Sequence, residues 1–350
     1  MQKGFKFAGN DYLGLASHPE VIEALSATAA KYGISSTSSR WAQGWTEVHE
    51  ELEHSIADWM GSEDACIFGA AYFGGVIYFG QMAALGYKTV FCDEMVHSNQ
   101  FLGMRAAGFE VHKFRHLDVD DLRRLTSGYQ GPPAIVATDG VYGISGEVAP
   151  VDELYAVARS IGAEFFVDDA HGVGAIGKYG RGATELLGLN PGDVTVLGSV
   201  SKALGTNGGF LAGRKELINK FRRSPEASGS AIPPPPMAGA TLTSLRLMRT
   251  DQTLRQRMEA NGNRMRQILN DANIKLADTR HPILGMLLKD EHEAMAMEKH
   301  FADYGIWIPY FKYASEPRHN LLRGAARAVY TDAQLDNFEA AIKSLLATKG

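Results

Sequence analysis

Residues 194–210 read VTVLGSVSKALGTNGGF. An apolar, β-branched run ends in two serines around a valine, then a lysine, then small residues and glycines. Such a run bounded by Ser and Gly reads as a strand, so Lys202 stands just past a strand end. Working outward, similar runs fall at 64–69 (DACIFG), 88–93 (KTVFCD), 109–115 (FEVHKFR), 133–142 (PAIVATDGVY), 163–172 (AEFFVDDAHG) and 208–213 (GGFLAG). Helical patterns separate many of them, at 75–86, 97–108, 119–126 and 151–162. Alternating β and α with near-continuous apolar strands predicts an α/β fold, a mostly parallel sheet covered on both faces. Ligands bind such sheets in the crevice beyond the strands' carboxyl ends.

The chain has 350 residues, enough for one large α/β domain and a smaller partner. The expected division is a short N-terminal segment (1–34), a large domain (35–250) and a small α+β domain (251–350), with one long helix at 239–273 at the change. With 35 basic and 40 acidic residues the net charge is −5. There is no basic stripe with interleaved aromatics, so no nucleic-acid partner is expected. No run is apolar enough for a membrane span or the core of a signal peptide, which points to a cytoplasmic protein. Cys66 and Cys92 form no CxxC unit. Two buried free thiols are expected rather than a disulfide or a zinc site, and no metal is expected. The Pro run after residue 232 reads as an extended turn before a helix, and Trp41 and Trp45 as core or interface residues beside the site.

Three strand ends carry chemistry: TDGVYG, VDDAHG and GSVSKALG. An acid, an acid with a histidine, and a lysine therefore converge on one sheet edge. A lysine kept partly unprotonated by burial can form a Schiff base with a carbonyl cofactor. Pyridoxal phosphate fits, because its ring nitrogen needs a carboxylate and its phosphate needs hydroxyls and backbone N–H groups. Asp168 is the candidate partner of the ring nitrogen, His171 a donor toward the ring oxygen and His97 the flat side chain against the ring. Ser199, Ser201 and the backbone of Ala71 and Tyr72 are the candidate phosphate cradle.

NDYLGL, VDDAHGVGAIGKYGRG and GSVSKALG together resemble the α-oxoamine synthases, fold-type I pyridoxal-phosphate enzymes, over nearly the whole chain. The resemblance implies a homodimer with its site at the subunit interface. It implies condensation of an amino acid with an acyl thioester, carried by CoA or a carrier protein, usually with loss of CO2. It makes Lys202 the Schiff-base lysine and α-proton base, and Asp168, His171 and His97 the family's cofactor residues. It places Asn10 near the substrate carboxylate, Arg323 on that carboxylate with Arg327 as rival, and Ser230 on a neighbouring subunit's phosphate. The motif SSTSSRWAQG lacks the family's usual glycines and brings hydroxyls, Ser39 among them, toward the amino-acid pocket. Ala71, Gly75, Asp139 and Gly143 replace the usual Gly, Asn, Glu and Ser. The chain also starts almost at NDYLGL, where typical members carry an N-terminal extension. Another pyridoxal-phosphate reaction on the same fold (transamination, racemisation, aldol cleavage) is the competing reading. A non-catalytic subunit would be expected to lack Lys202.

Overall fold

The computed structural model describes residues 5–229, 232–277, 279–308, 310 and 320–347. Its strands are β1 (Phe5–Lys6), β2 (Asp64–Phe68), β3 (Thr89–Asp93), β4 (Glu110–Phe114), β5 (Ala134–Asp139), β6 (Glu164–Asp168), β7 (Thr195–Ser199), β8 (Gly209–Gly213), β9 (Ile283–Leu288), β10 (Ile306–Trp307) and β11 (Asn320–Ala325). Seven of them form one sheet in the order β2-β8-β7-β6-β5-β3-β4. β8 runs antiparallel to both neighbours, and the remaining pairs are parallel.

Side chains alternate across a strand, and here both sets are apolar. Ile67, Phe91, Val136, Phe165, Val196 and Phe210 enter the core on one face. Their neighbours Phe68, Cys92, Ile135, Phe166, Leu197 and Leu211 enter the core on the other. Cys66 and Cys92 are free and buried, and burial pushes both thiols up to about 12, so they are inert at neutral pH. A third core gathers Phe7 from the N-terminal segment with Met265, Leu284, Phe301, Leu322 and Phe338. The first strand, β1, pairs with β10 there, and β9 with β11.

Two sequence expectations are corrected. The stretch at 239–273 is two helices, Pro235–Thr250 and Gln252–Asp271. Asp251 adopts an extended conformation between them, and its carboxylate accepts from the Thr253 N–H as an N-cap. The first of these helices starts four residues early because Pro is tolerated in a first helical turn. The expected strands at 133–142 and 163–172 stop at Asp139 and Asp168; beyond the first only Val141 forms an isolated bridge, to Val148, and beyond the second the chain turns.

Asp93, fully buried at the end of β3, accepts backbone N–H bonds from Met95 and Leu117. The His116 ring lies between Asp93 (3.0 Å) and Glu147 (3.3 Å). Burial opposes charge on His116, but these two carboxylates outweigh it and hold the imidazole up at about 9. A raised folded-state value means stabilisation that is full below about 6.5 and lost as pH rises through about 9. His116→Gln is expected to cost about 2–4 kcal/mol at pH 6 and much less at pH 10, read by urea denaturation at both pH values. An equal cost at both would show that the ring is not charged in the fold.

Candidate active site

Lys202 lies in the loop that turns β7 into antiparallel β8. The Val200 and Thr206 N–H groups donate across this loop, to the carbonyls of Gly208 and Val200. Its glycine is forced: Gly205 has φ +65°, and a Cβ there would lie 2.3 Å from the backbone N of Ala16. The loop is thereby seated against the N-terminal segment. No ion pair engages Lys202 among the described residues. Burial pulls its amine down to about 8, against the opposing pull of the Asp168 and Asp139 carboxylates. The amine is therefore partly neutral near physiological pH.

Asp168 ends β6, and Asp139 stands opposite it in register at the end of β5. Asn99 Nδ2 donates to Asp168 Oδ2 (3.1 Å), and the Ala170 N–H donates to Oδ1 (3.2 Å). Asp139 accepts from Gln100 Nε2 (2.6 Å) and from the His97 N–H (3.2 Å). Burial, with the Asp168 charge beside it, pushes the Asp139 carboxyl well above its usual range. The pair thus settles with one negative charge rather than two.

The next residue explains the first and last glycines of VDDAHGVGAIGKYGRG, and Gly140 at the neighbouring strand end. Asp169 is fully buried and accepts from the Ala183 N–H at 2.6 Å. A Cβ at Gly140, Gly172 or Gly182 would lie 2.4, 2.0 or 1.9 Å from its carboxylate oxygens. Those glycines close the chain around one carboxylate, and that closure presents Asp168 and His171 at the sheet edge.

His171 is gripped from behind. The Tyr12 hydroxyl lies 2.7 Å from its Nδ1, and His281 Nε2 lies 2.9 Å from its carbonyl oxygen. Because Arg323 Nη2 donates to the Tyr12 oxygen (3.3 Å), the Tyr12 proton is directed to Nδ1, leaving the ring proton of His171 on Nε2. Burial, with the Lys202 and Arg323 cations nearby, keeps His171 well below its ordinary value. His281 accepts the Ile283 N–H at Nδ1, and burial drives it down to about 3. It is a neutral donor to His171.

His97 begins the helix Ser98–Ala106, and its Nδ1 lies 2.9 Å from Asn99 Oδ1. Asn99 therefore links His97 to Asp168. The Tyr72 ring meets the His97 ring edge-on at 6.2 Å. The Ser199 and Ser201 hydroxyls lie 2.8 Å apart. The departure at Gly75 also has a reason: Cβ atoms at Gly75 and Gly103 would lie 2.6 and 2.4 Å from the facing helix backbones, so both are needed for that close crossing.

These residues bound one cleft of about 260 Å³, lined by Ala71, Tyr72, His97, Asp168, His171, Ser199, Ser201 and Lys202, with Asn99, Asp139 and Asn207 among them. A partly neutral lysine, a carboxylate held by two donors, a flat imidazole and paired hydroxyls form the donor set that pyridoxal phosphate requires. Asn10, Ser39 and Arg323 are not among the lining residues. Arg323 sits one layer back, donating to Gly143 O (2.5 Å), Ala8 O (2.7 Å), Asn10 Oδ1 (2.6 Å) and Tyr12. Arg327 pairs with Asp11. Ser39 precedes the turn Arg40–Gly44, and Ser230 lies outside the described residues. Asn99, Gln100, Tyr12 and His281 were not singled out from sequence. Of these, Tyr12 had a signal, standing inside NDYLGL.

A Cβ at Gly143 would lie 2.4 Å from His171 Nε2. Gly143→Ala is therefore expected to cost roughly 1–3 kcal/mol of stability and to weaken cofactor binding, read by thermal melting and by titration with pyridoxal phosphate. Wild-type behaviour in both would show that His171 is not held where the structure has it.

The family model for aminotransferase class I and II matches residues 2–342. An 8-amino-7-oxononanoate synthase of Alkalilimnicola ehrlichii is 33% identical over 343 residues, covering 97% of this chain and 88% of the relative. One from Methylococcus capsulatus is 34% identical over 304 residues, covering 86% of this chain and 78% of the relative. Among solved structures, a serine palmitoyltransferase from S. paucimobilis, solved with PLP bound, is 29% identical with a TM-score of 0.92, covering 99% of this chain and 88% of that one. The chain belongs to the α-oxoamine synthases, within the class I and II aminotransferase family of pyridoxal-phosphate-dependent enzymes.

Proposed function

We propose that this protein is a C-acyltransferase that uses pyridoxal phosphate to join an amino acid to an acyl thioester, with loss of CO2, giving an α-amino ketone. The observation that carries this reading is the convergence of Lys202, Asp168, His171 and His97 on one cleft. The similarity to 8-amino-7-oxononanoate synthases and a serine palmitoyltransferase supports condensation over transamination. Those two names imply different substrates, so the amino acid and the acyl group are left open.

Each residue has a task that its surroundings suit. When bound, pyridoxal phosphate supplies an electrophilic carbon for the amino acid and an electron sink for the carbanion. Asp168, oriented by Asn99 and the Ala170 N–H, would hold the ring nitrogen. His171, proton on Nε2, would donate toward the ring oxygen, and His97 would cover the ring face. Ser199, Ser201 and the N–H groups of Ala71 and Tyr72 would hold the phosphate. Lys202 would be the residue that holds the cofactor, and its Nζ, with basicity lowered by burial, would accept the substrate's α-proton near neutral pH. Arg323 and Asn10 would receive the substrate carboxylate by exchanging their mutual bond for it. Ser39 is kept as a candidate wall of the amino-acid pocket.

The reading extends to assembly and place. A homodimer is proposed, with Ser230 reaching the partner's phosphate. Tyr72, which lines the cleft, and Phe73, whose ring meets it edge-on, are 48% and 56% exposed, an apolar surface suited to a second subunit. The division into segment 1–34, large domain 35–250 and small domain 251–350 is proposed with one change: Phe7 belongs to the small core. A cytoplasmic location suits two unpaired buried thiols.

The test is thiol release. The pyridoxal-phosphate-loaded protein is mixed with a panel of acyl-CoAs, with and without Gly, Ala, Ser and longer amino acids. Release of free CoA that depends on an amino acid is expected, and names both substrates. Amino-acid-dependent change in cofactor absorbance with no thiol release from acyl-CoAs or acyl carrier proteins would contradict the condensation and favour another reaction on the same fold.

A further inference from the structure

A second and larger cavity, of about 640 Å³, lies away from the cleft and shares no lining residue with it. One wall is the loop through Gly177 and Lys178, and the other is the helix Gln252–Asp271. Lys178, Arg255, Arg266 and Arg280 line it, against the single carboxylate of Glu259.

Two of these cations are held without a counter-charge. Arg255 donates to the carbonyls of Gly177 (3.0 Å) and Lys178 (2.9 Å). Arg266 donates to Asn263 Oδ1 (2.9 Å) and to the His281 carbonyl (2.5 Å). The Nε of each is buried with no partner, and neither guanidinium forms an ion pair among the described residues. Burial pulls both below the ordinary guanidinium value, with only a weak opposing pull from Glu185 on one and Glu259 on the other. Both side chains are half-buried, and shielding positive charge without a counter-charge is unfavourable; two such arginines facing one cavity, with two more cations at its rim, make it a site suited to an anion. Guanidinium forks suit the paired oxygens of phosphate and carboxylate. The volume falls within the roughly 300–1,000 Å³ of small-molecule sites.

We propose that this cavity is a binding site for a small multivalent anion, a phosphorylated or polycarboxylate metabolite up to nucleotide size. It is separate from the cofactor's phosphate cradle. Its wall and the cleft share one chain of hydrogen bonds, Arg266 to the His281 carbonyl and His281 to the His171 carbonyl.

The test uses the pyridoxal-phosphate-loaded protein and isothermal calorimetry, titrating inorganic pyrophosphate and, separately, citrate. Saturable binding of at least one anion per chain is expected, weakening as salt rises. Stronger binding of pyrophosphate names a phosphate ligand, and stronger binding of citrate a polycarboxylate. Lys178 and Arg280 are exposed, so the double variant K178S/R280S removes charge without opening the core. It should weaken binding at least about tenfold, Arg255→Gln similarly, while Lys31→Ser, outside the cavity, changes nothing. No binding of either anion, or binding that is unchanged in both cavity variants, would overturn the proposal. Because binding is read directly, this result does not depend on which reaction the cleft performs.

Discussion

The fold has to keep an amine and a carboxylate in one small cleft without letting them neutralise each other in a tight ion pair. Asp168 ends β6 and Lys202 sits in the loop after its neighbour β7, with burial lowering the amine and donated hydrogen bonds holding the carboxylate. A direct Lys–Asp pair would fix the proton on the lysine. Asp139 could have supplied a second charge, but burial beside Asp168 favours its neutral form. The electrostatics therefore follow from strand register: Asp139 opposite Asp168, and the lysine loop one strand further on.

The second layer is mechanical. The N-terminal segment crosses from the small core, where Phe7 is buried, to the large one, where Tyr12 and Leu15 are buried. On the way it gives Ala8, Asn10 and Tyr12 to Arg323, and Asp11 to Arg327. Arg323 lies on β11, which pairs with β9 beside the third core, and Arg327 follows that strand. A shift of β11 would be felt at Tyr12, and Tyr12 holds His171. Arg323 thus serves as an anchor in this state, and binding a carboxylate would require it to release part of that anchorage.

Much of this was legible in the sequence, for a physical reason. Asp168 ends a strand and Lys202, His171 and His97 lie within four residues of a strand end, so strand pattern plus local residue type located them. The partners were not legible because they depend on tertiary placement. Tyr12 meets His171 across 159 residues and Asn99 meets Asp168 across 69. Gln100 and His281 carry no local signature. The departures at Gly75 and Gly143 are explained by packing, one against a helix and the other against the His171 ring. The break at Asp251 was hidden because the helical pattern continues across a single capping residue.

The central claim is that Lys202 is the residue that carries the cofactor. The protein, loaded with pyridoxal phosphate, should be reduced with borohydride, digested and its peptides weighed. The account predicts the cofactor's mass fixed on the peptide that contains Lys202, with nothing comparable on any other lysine. A label on a different lysine, or no stable label on a protein that still binds the cofactor, would contradict it.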